Sequence, residues 1–277
     1  MSVLELTAII GSVSLIAGFL GSLTGLGGGV VIVPLLALVF HVDIRYAIGA
    51  SLVSVIATSS GAAAAYVREG YSNIRIGMFL EMATTFGALV GAALATRISN
   101  ASIAVIFGFV LLYSAYLSNR RHPQRTDDRA DRLAALLKMD ETYPTPKGPV
   151  AYHVHAIPAG FSLMFVAGAL SGLLGIGSGA VKVLAMDQAM HVPFKVSTTT
   201  SNFMIGVTAA ASAGVYLGCG YIDPGLSMPV MLGALIGSLL GTRVLIGAKT
   251  RLLRLVFSAV ILVLGFEMIF NGFTGRL

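Results

Sequence analysis

Eight long apolar stretches dominate this chain, at residues 6–40, 44–66, 76–96, 100–118, 156–190, 196–217, 225–247 and 252–271. A helix needs about 20 such residues to cross a bilayer, and six of the eight stretches fit one crossing. The first and fifth, about 35 residues each, are too long for one span and slightly short for two. Only 11% of the 277 residues are charged, and the mean hydropathy is +0.88. A soluble domain carries about 25% charged residues, so the outside of this chain must be apolar as well. That excludes a water-soluble enzyme and a disordered chain. The expected fold class is an all-α polytopic membrane protein with 8–10 membrane helices.

An internal correspondence organises the stretches. Adding 150 maps Ala17-Gly18 onto Ala167-Gly168, and Gly25, Gly27 and Gly29 onto Gly175, Gly177 and Gly179. The same offset takes His41-Val42 to His191-Val192, Ser51 to Ser201, Thr58 to Thr208 and Tyr66 to Tyr216. After a loss of four residues, Gly87-Ala88-Leu89-Val90-Gly91 matches Gly233-Ala234-Leu235-Ile236-Gly237, and Thr96-Arg97 matches Thr242-Arg243. The expectation is two homologous repeats, 1–118 and 156–277, each a long glycine-broken segment followed by three transmembrane helices. Residues 119–155 form a charged linker, read as solvated with partial helix, in which Leu133, Leu136 and Leu137 could make one amphipathic turn.

Charge placement orients the repeats. Twelve of the 30 charged residues lie between Arg120 and Lys147. The net charge of +6 forms no basic stripe outside that loop, so no nucleic-acid partner is expected. If each long segment crosses once and the linker is cytoplasmic, ten Lys/Arg fall inside and seven outside. If each enters and returns at its glycines, fourteen fall inside and only Arg45, Arg97 and Arg276 outside. The positive-inside rule favours the second arrangement, with inverted repeats and both termini outside. The N-terminus lacks a basic region before its apolar run, so 6–23 reads as a retained segment and not a cleaved signal.

A membrane helix that breaks must satisfy the backbone groups it frees, against protein, water or ligand. A restarting helix offers unpaired N–H groups and the positive end of its dipole to an anion. Two such breaks meeting near the midplane are the usual substrate site of inverted-repeat transporters. The restarts are expected near Val30 and Ala180, which nominates Gly27, Gly28, Gly29, Gly177, Ser178 and Gly179. Close helix packing is the better account of Gly87, Gly91, Gly233 and Gly237.

Lys182 lies in Val-Lys-Val, deep in an apolar stretch, where its counterpart is Ile32. A charge there costs several kcal/mol unless solvated or paired. It is either snorkelling to an interface or a fixed counter-charge for an anionic substrate. Ser51, Ser201 and Asn202 are candidate lateral donors, although Ser and Thr in helices often bond only their own i−4 carbonyl. The run Ser197-Thr198-Thr199-Thr200-Ser201-Asn202 is less easily dismissed in that way. Glu81, Asp187 and His191 are proton-coupling candidates. For Glu81 the alternative is a protonated carboxyl bonded to a neighbouring helix. For Asp187 and His191, four residues apart, it is a structural contact at the membrane edge. No nucleotide, metal or nucleophile motif is found. The glycines lack the Lys-Ser/Thr of a P-loop. Cys219 stands alone, and His153-x-His155 has no carboxylate or cysteine near it in sequence. No cofactor is expected.

The glycine motifs carry a resemblance. Gly25-Leu26-Gly27-Gly28-Gly29 with Pro34, Gly172-Leu173-Leu174-Gly175-Ile176-Gly177-Ser178-Gly179, and the stretch from Val192-Pro193-Phe194-Lys195 to Asn202 resemble the TauE/SafE sulfite exporter family, also called the toluene sulfonate uptake permeases. The resemblance covers nearly everything outside the linker. It implies a prokaryotic inner-membrane permease for small anions, in particular sulfur-containing ones such as sulfite or organosulfonates. Ser178 replaces Gly28, and Leu184 replaces Pro34, so the second half degrades the first half's pattern. The resulting reading is an alternating-access anion permease, driven by a substrate or coupling-ion gradient (H+ or Na+), in the lipid bilayer, as a monomer or homo-oligomer. An anion channel is the alternative. An intramembrane enzyme using Asp187 and His191, or a scaffold acting through the linker, ranks below both.

Overall fold

The structure is a computed structural model that describes residues 3–24, 28–68, 72–118, 131–137, 139–145, 148–245 and 250–275. Five helices precede the linker: α1 (Val3–Thr24), α2 (Gly29–Leu38), α3 (Ile44–Arg68), α4 (Ile74–Ala95) and α5 (Asn100–Ser118). The linker holds a short helix, α6 (Arg132–Leu136), and a hairpin of β1 (Glu141–Thr145) and β2 (Gly148–Tyr152). Beyond it come α7 (Ile157–Leu174), α8 (Gly179–Leu184) running into a π-turn (Ala185–Ala189), α9 (Phe194–Gly218), α10 (Pro224–Leu245) and α11 (Thr250–Thr274).

The polarity of these helices is inside out for water. On α4 the exposed face is Met78, Met82, Phe86, Val90 and Leu94, while Glu81 and Thr84 face inward. The outer face of α11 is Val263, Phe266, Phe270 and Phe273. Apolar surface of this extent belongs against lipid, because water would drive it together. α4, α7 and residues 224–241 of α10 are each long and apolar enough to cross a membrane.

α1 packs along α10 and α4 along α7, with α5 on α11 and α3 on α9. Small residues set the approach. A Cβ at Gly91 would fall on the Ala169 carbonyl, and one at Gly237 on the Leu15 carbonyl. Gly87 and Gly233 press against the Phe165 and Gly11 carbonyls in the same way. Packing therefore accounts for these four glycines, as anticipated.

Each long apolar stretch is a full helix followed by a short one. α2 has 10 residues, a rise of about 15 Å or half the hydrocarbon core. The restarts fall at Gly29 and Gly179, one residue before the expected positions. Both short helices also end alike. His41 (φ 53°) and His191 (φ 58°) are left-handed, and the following N–H returns six residues, Val42 to Leu36 O at 3.1 Å and Val192 to Met186 O at 2.9 Å. This bond pattern caps carbonyls that the helix end leaves orphaned. The entry and exit of the second segment lie together: His155 N donates to Met190 O at 3.0 Å, and the rings of His155 and His191 are 5.3 Å apart. A segment crossing once would put those residues at opposite ends.

The linker departs from a solvated tether. Met139, Tyr152 and Val154 are buried with Ile76, Leu80 and Ile157 in one apolar cluster. Burial also holds the Tyr152 phenol protonated, its pKa pushed above the usual tyrosine value. Asn73 fastens the linker on, donating from Nδ2 to Met139 O (3.0 Å) and to the Tyr152 hydroxyl (2.8 Å). Its Oδ1 caps α4 at Ile76 N. Leu133, Leu136 and Leu137 do sit on a helical turn, but Ala134 is the buried member. His153 corrects another expectation. Its Nδ1 lies 3.0 Å from Asp140 Oδ2, a carboxylate 13 residues upstream that the hairpin brings back.

Candidate functional site

The two broken segments meet at the centre of the molecule. The turn before α8 uses left-handed backbone at Gly175 (φ 67°), Gly177 (φ 72°) and Ser178 (φ 49°), conformations that favour glycine and strain a serine. The Gly175 carbonyl, freed by this turn, accepts from Ser51 Oγ of α3 at 2.8 Å. It also lies against the start of α2, where a Cβ on Gly29 would come within 2.8 Å of the Gly175 oxygen and 2.7 Å of Ser51 Oγ. Ser201, at the position matching Ser51, donates to the Gly179 carbonyl at 3.3 Å. Thus Ser51, Gly29, Gly175, Gly179 and Ser201 are brought together. Gly28 is the buried residue before α2, and Gly27 lies outside the described residues. Ser178 Oγ is buried and finds no hydrogen-bond partner among the described residues. Asn202 is half-buried on α9.

Lys182 is fully buried, so it is not snorkelling. Its Nζ donates to Thr208 Oγ1 of α9 at 2.5 Å. Thr208 Oγ1 lies 2.7 Å from Glu81 Oε1 of α4 and hands its own proton on to it. Thr85 Oγ1 adds a bond to Glu81 Oε1 at 3.2 Å, and Thr84 Oγ1 lies 3.4 Å from Thr208 Oγ1. Glu81 is 8% exposed, and its Oε2 has no partner among the described residues. A basic and an acidic group, each expensive alone in an apolar interior, therefore face each other through one hydroxyl. Sequence reading singled out both charges but did not join them, and it missed Thr208. A signal for Thr208 was present: Ser197, Ser201, Thr208 and Ser212 fall on one stripe of α9, and all four are buried.

The hydroxyl run opening α9 divides. Ser197, Thr198 and Thr199 donate to the carbonyls of Val192, Phe194 and Lys195, which is local satisfaction. Thr200 Oγ1 accepts from Asn73 N at 3.0 Å and ties α9 to α4. Asp187 sits half-buried in the π-turn. The regular helical spacing that would face it toward His191 stops there, because the helix ends at Met190 and His191 turns left-handed against His155. Among the described residues no group of three or more His, Cys, Asp and Glu side chains could hold a metal ion.

Apolar outer faces, two broken segments that touch at Gly29 and Gly175, and a buried Lys182–Thr208–Glu81 centre beside the second of them are the features of a multi-pass membrane transporter. The chain belongs to the sulfite exporter TauE/SafE family, whose model matches residues 10–268. It is similar to the probable membrane transporter protein YunE of Bacillus subtilis, 28% identical over 93% of this chain and 95% of that one. It is also similar to YdhB of the same organism, 26% identical over 83% and 84%, and to a probable membrane transporter of Methanocaldococcus jannaschii, 25% identical over 93% of each. No solved structure gives a significant match.

Proposed function

We propose that this transporter carries a small sulfur-containing oxyanion, such as sulfite or an organosulfonate, by alternating access between two inverted repeats. The observation that carries the reading is Lys182, an ammonium sealed in the apolar interior four residues into α8, next to where the two broken segments touch. Backbone N–H groups at the starts of α2 and α8 would receive the oxyanion, with Lys182 as counter-charge and Ser51, Ser201 and Asn202 at its sides. The glycines allow a ligand close to the backbone, and the Ser178 hydroxyl, without a partner among the described residues, is a further donor.

Membership of the sulfite exporter family supports a sulfur oxyanion, and the packing of α1 on α10 and of α4 on α7 supports paired halves. In this reading the linker is cytoplasmic, both termini are outside, and the protein lies in the inner membrane. Thermal shifts of purified protein with sulfite, sulfate, thiosulfate and methanesulfonate test it, since a ligand that binds the native state raises its apparent stability. At least one anion should stabilise the wild type and fail to stabilise Lys182→Ala. Equal shifts in both proteins would remove Lys182 from the site.

A further inference from the structure

Glu81 is the part of the centre that anion recognition leaves unexplained, because a carboxylate beside an anion site opposes binding. We propose that Glu81, Thr208 and Lys182 couple transport to protons, one proton loading onto Glu81 for each monoanion carried. The inference rests on the anion-permease reading above and adds the coupling ion to it.

The argument is one of charge. With Glu81 ionised, the pair with Lys182 is neutral and its members are bridged by Thr208. An arriving anion would leave the sealed centre with one unbalanced negative charge, which a low-dielectric interior resists strongly. A proton on Glu81 restores neutrality and frees the ammonium to pair with the anion.

Glu81 is the group placed to accept that proton. On α7, which packs along α4, no titratable side chain occurs. On α9 the titratable groups are Lys195 and Tyr216, near its two ends; Lys195 is exposed, and the Tyr216 hydroxyl meets the Leu173 carbonyl. From α8 the facing group is Lys182, already a cation, and Asp187 follows on the π-turn. On α4 itself Arg75 is exposed in the first turn. Glu81 Oε2 has room for a hydrogen, being buried and without a partner among the described residues.

Thr208 is a positioning residue that lets the pair separate. Its one proton has two close targets, Glu81 Oε1 at 2.7 Å and Met204 O at 2.9 Å, with Thr84 Oγ1 farther off at 3.4 Å. While Glu81 is ionised, the hydroxyl donates to it and accepts from Lys182. Once Glu81 is protonated, the hydroxyl can turn to Met204, and the Lys182 bond loses its anionic backing. On release the proton leaves Oε2 for the far side and the pair re-forms, so charge and proton balance over the cycle.

The test uses full-length protein in liposomes holding a lumenal pH dye, with methanesulfonate as probe because its charge does not change near neutral pH. In the wild type, methanesulfonate entry should acidify the lumen without needing a potential clamp. Its thermal shift should weaken about tenfold in apparent affinity per pH unit above the proton-loading range. Glu81→Gln, which mimics the protonated carboxyl, should bind at all these pH values, take up the anion without acidification, and need the clamp. Thr208→Ser should keep coupling, while Thr208→Val should move the pH profile of binding. Wild-type uptake that leaves lumenal pH unmoved, or proton movement that persists in Glu81→Gln, overturns the coupling while leaving the permease reading standing. If Glu81→Gln does not fold, the wild-type measurement and the Thr208 pair decide alone. If none of sulfite, sulfate, thiosulfate and methanesulfonate stabilises or crosses with the wild type, both readings are overturned.

Discussion

The two broken segments share a plan and differ in their chemistry. α2 restarts at Gly29, carries Pro34 and presents only apolar side chains, with Ile32 buried. α8 restarts at Gly179, places Lys182 where Ile32 stands, and loosens into a π-turn before it ends. Both close with a left-handed histidine. The shared features are backbone features and set where the segments stop and touch. The difference is one charge, and it is matched by a change elsewhere: α4, packed beside the second segment's partner helices, supplies Glu81, whereas α10 holds no acidic residue. The first broken segment is thus a scaffold for the meeting point, while the second carries a charge that α4, from the first half of the chain, answers with Glu81.

Exchanging the distinguishing residue tests this most severely. Ile32→Lys puts a charge at a position with 1% exposure among apolar neighbours and should cost about 3 kcal/mol or more. Little folded protein should be recovered after detergent extraction. Lys182→Ile should fold, because Glu81 can take a proton, yet should transport no anion. If both variants folded and transported alike, the assigned asymmetry would fail.

The next test concerns the backbone contact. Gly29→Ala sets a methyl 2.7 Å from Ser51 Oγ and 2.8 Å from the Gly175 carbonyl, of which only the serine can move aside. A loss of about 1–3 kcal/mol is expected, read as a fall in melting temperature. Gly177→Ala meets only the flexible Ile205 and Val55 side chains, but must hold φ 72°. It should cost about 1–2 kcal/mol. A sharper check is Ser51→Ala combined with Gly29→Ala. Removing the crowding hydroxyl should make the double variant less destabilised than the sum of the singles.

The serines that bond the breaks should follow. Ser51→Ala leaves the buried Gly175 carbonyl without its 2.8 Å bond and should cost about 1–2 kcal/mol. Ser201→Ala gives up a 3.3 Å bond to Gly179 O and should cost less. Equal melting temperatures for the two would mean that the two sides of the meeting point are held equally.

Much of the fold was legible in sequence because it depends on local and periodic signals. Apolar length gave the helices, the glycines gave both restarts to within a residue, and charge asymmetry favoured a segment that enters and returns. At the site, Glu81 and Lys182 stood out because charge in an apolar stretch is conspicuous. Their pairing did not, since they are 101 positions apart and nothing in sequence encodes which helices meet. Thr208 was hidden because a lone threonine in a helix usually serves its own backbone. The linker misled for a similar reason. Its polar composition reads as tether, while its docking depends on a few residues, Met139, Tyr152 and Val154, held by Asn73 on another element.

The smallest effect concerns the feature the two segments share. A histidine in left-handed backbone costs about 1 kcal/mol relative to glycine, so His41→Gly should stabilise the protein by up to that amount. His41 is exposed, and little packing is lost on removing its ring. His191 adopts the same conformation, but its ring is half-buried against His155, where the second segment closes on the linker. His191→Gly gains the same backbone relief and loses that contact, so its melting temperature should stay near the wild type or fall below it. A rise at position 41 without one at 191 would mean that the ring at 191 is retained for what it touches. Equal rises would mean that the two histidines differ in neighbours only, and that the closure of the second segment rests on the His155–Met190 backbone bond.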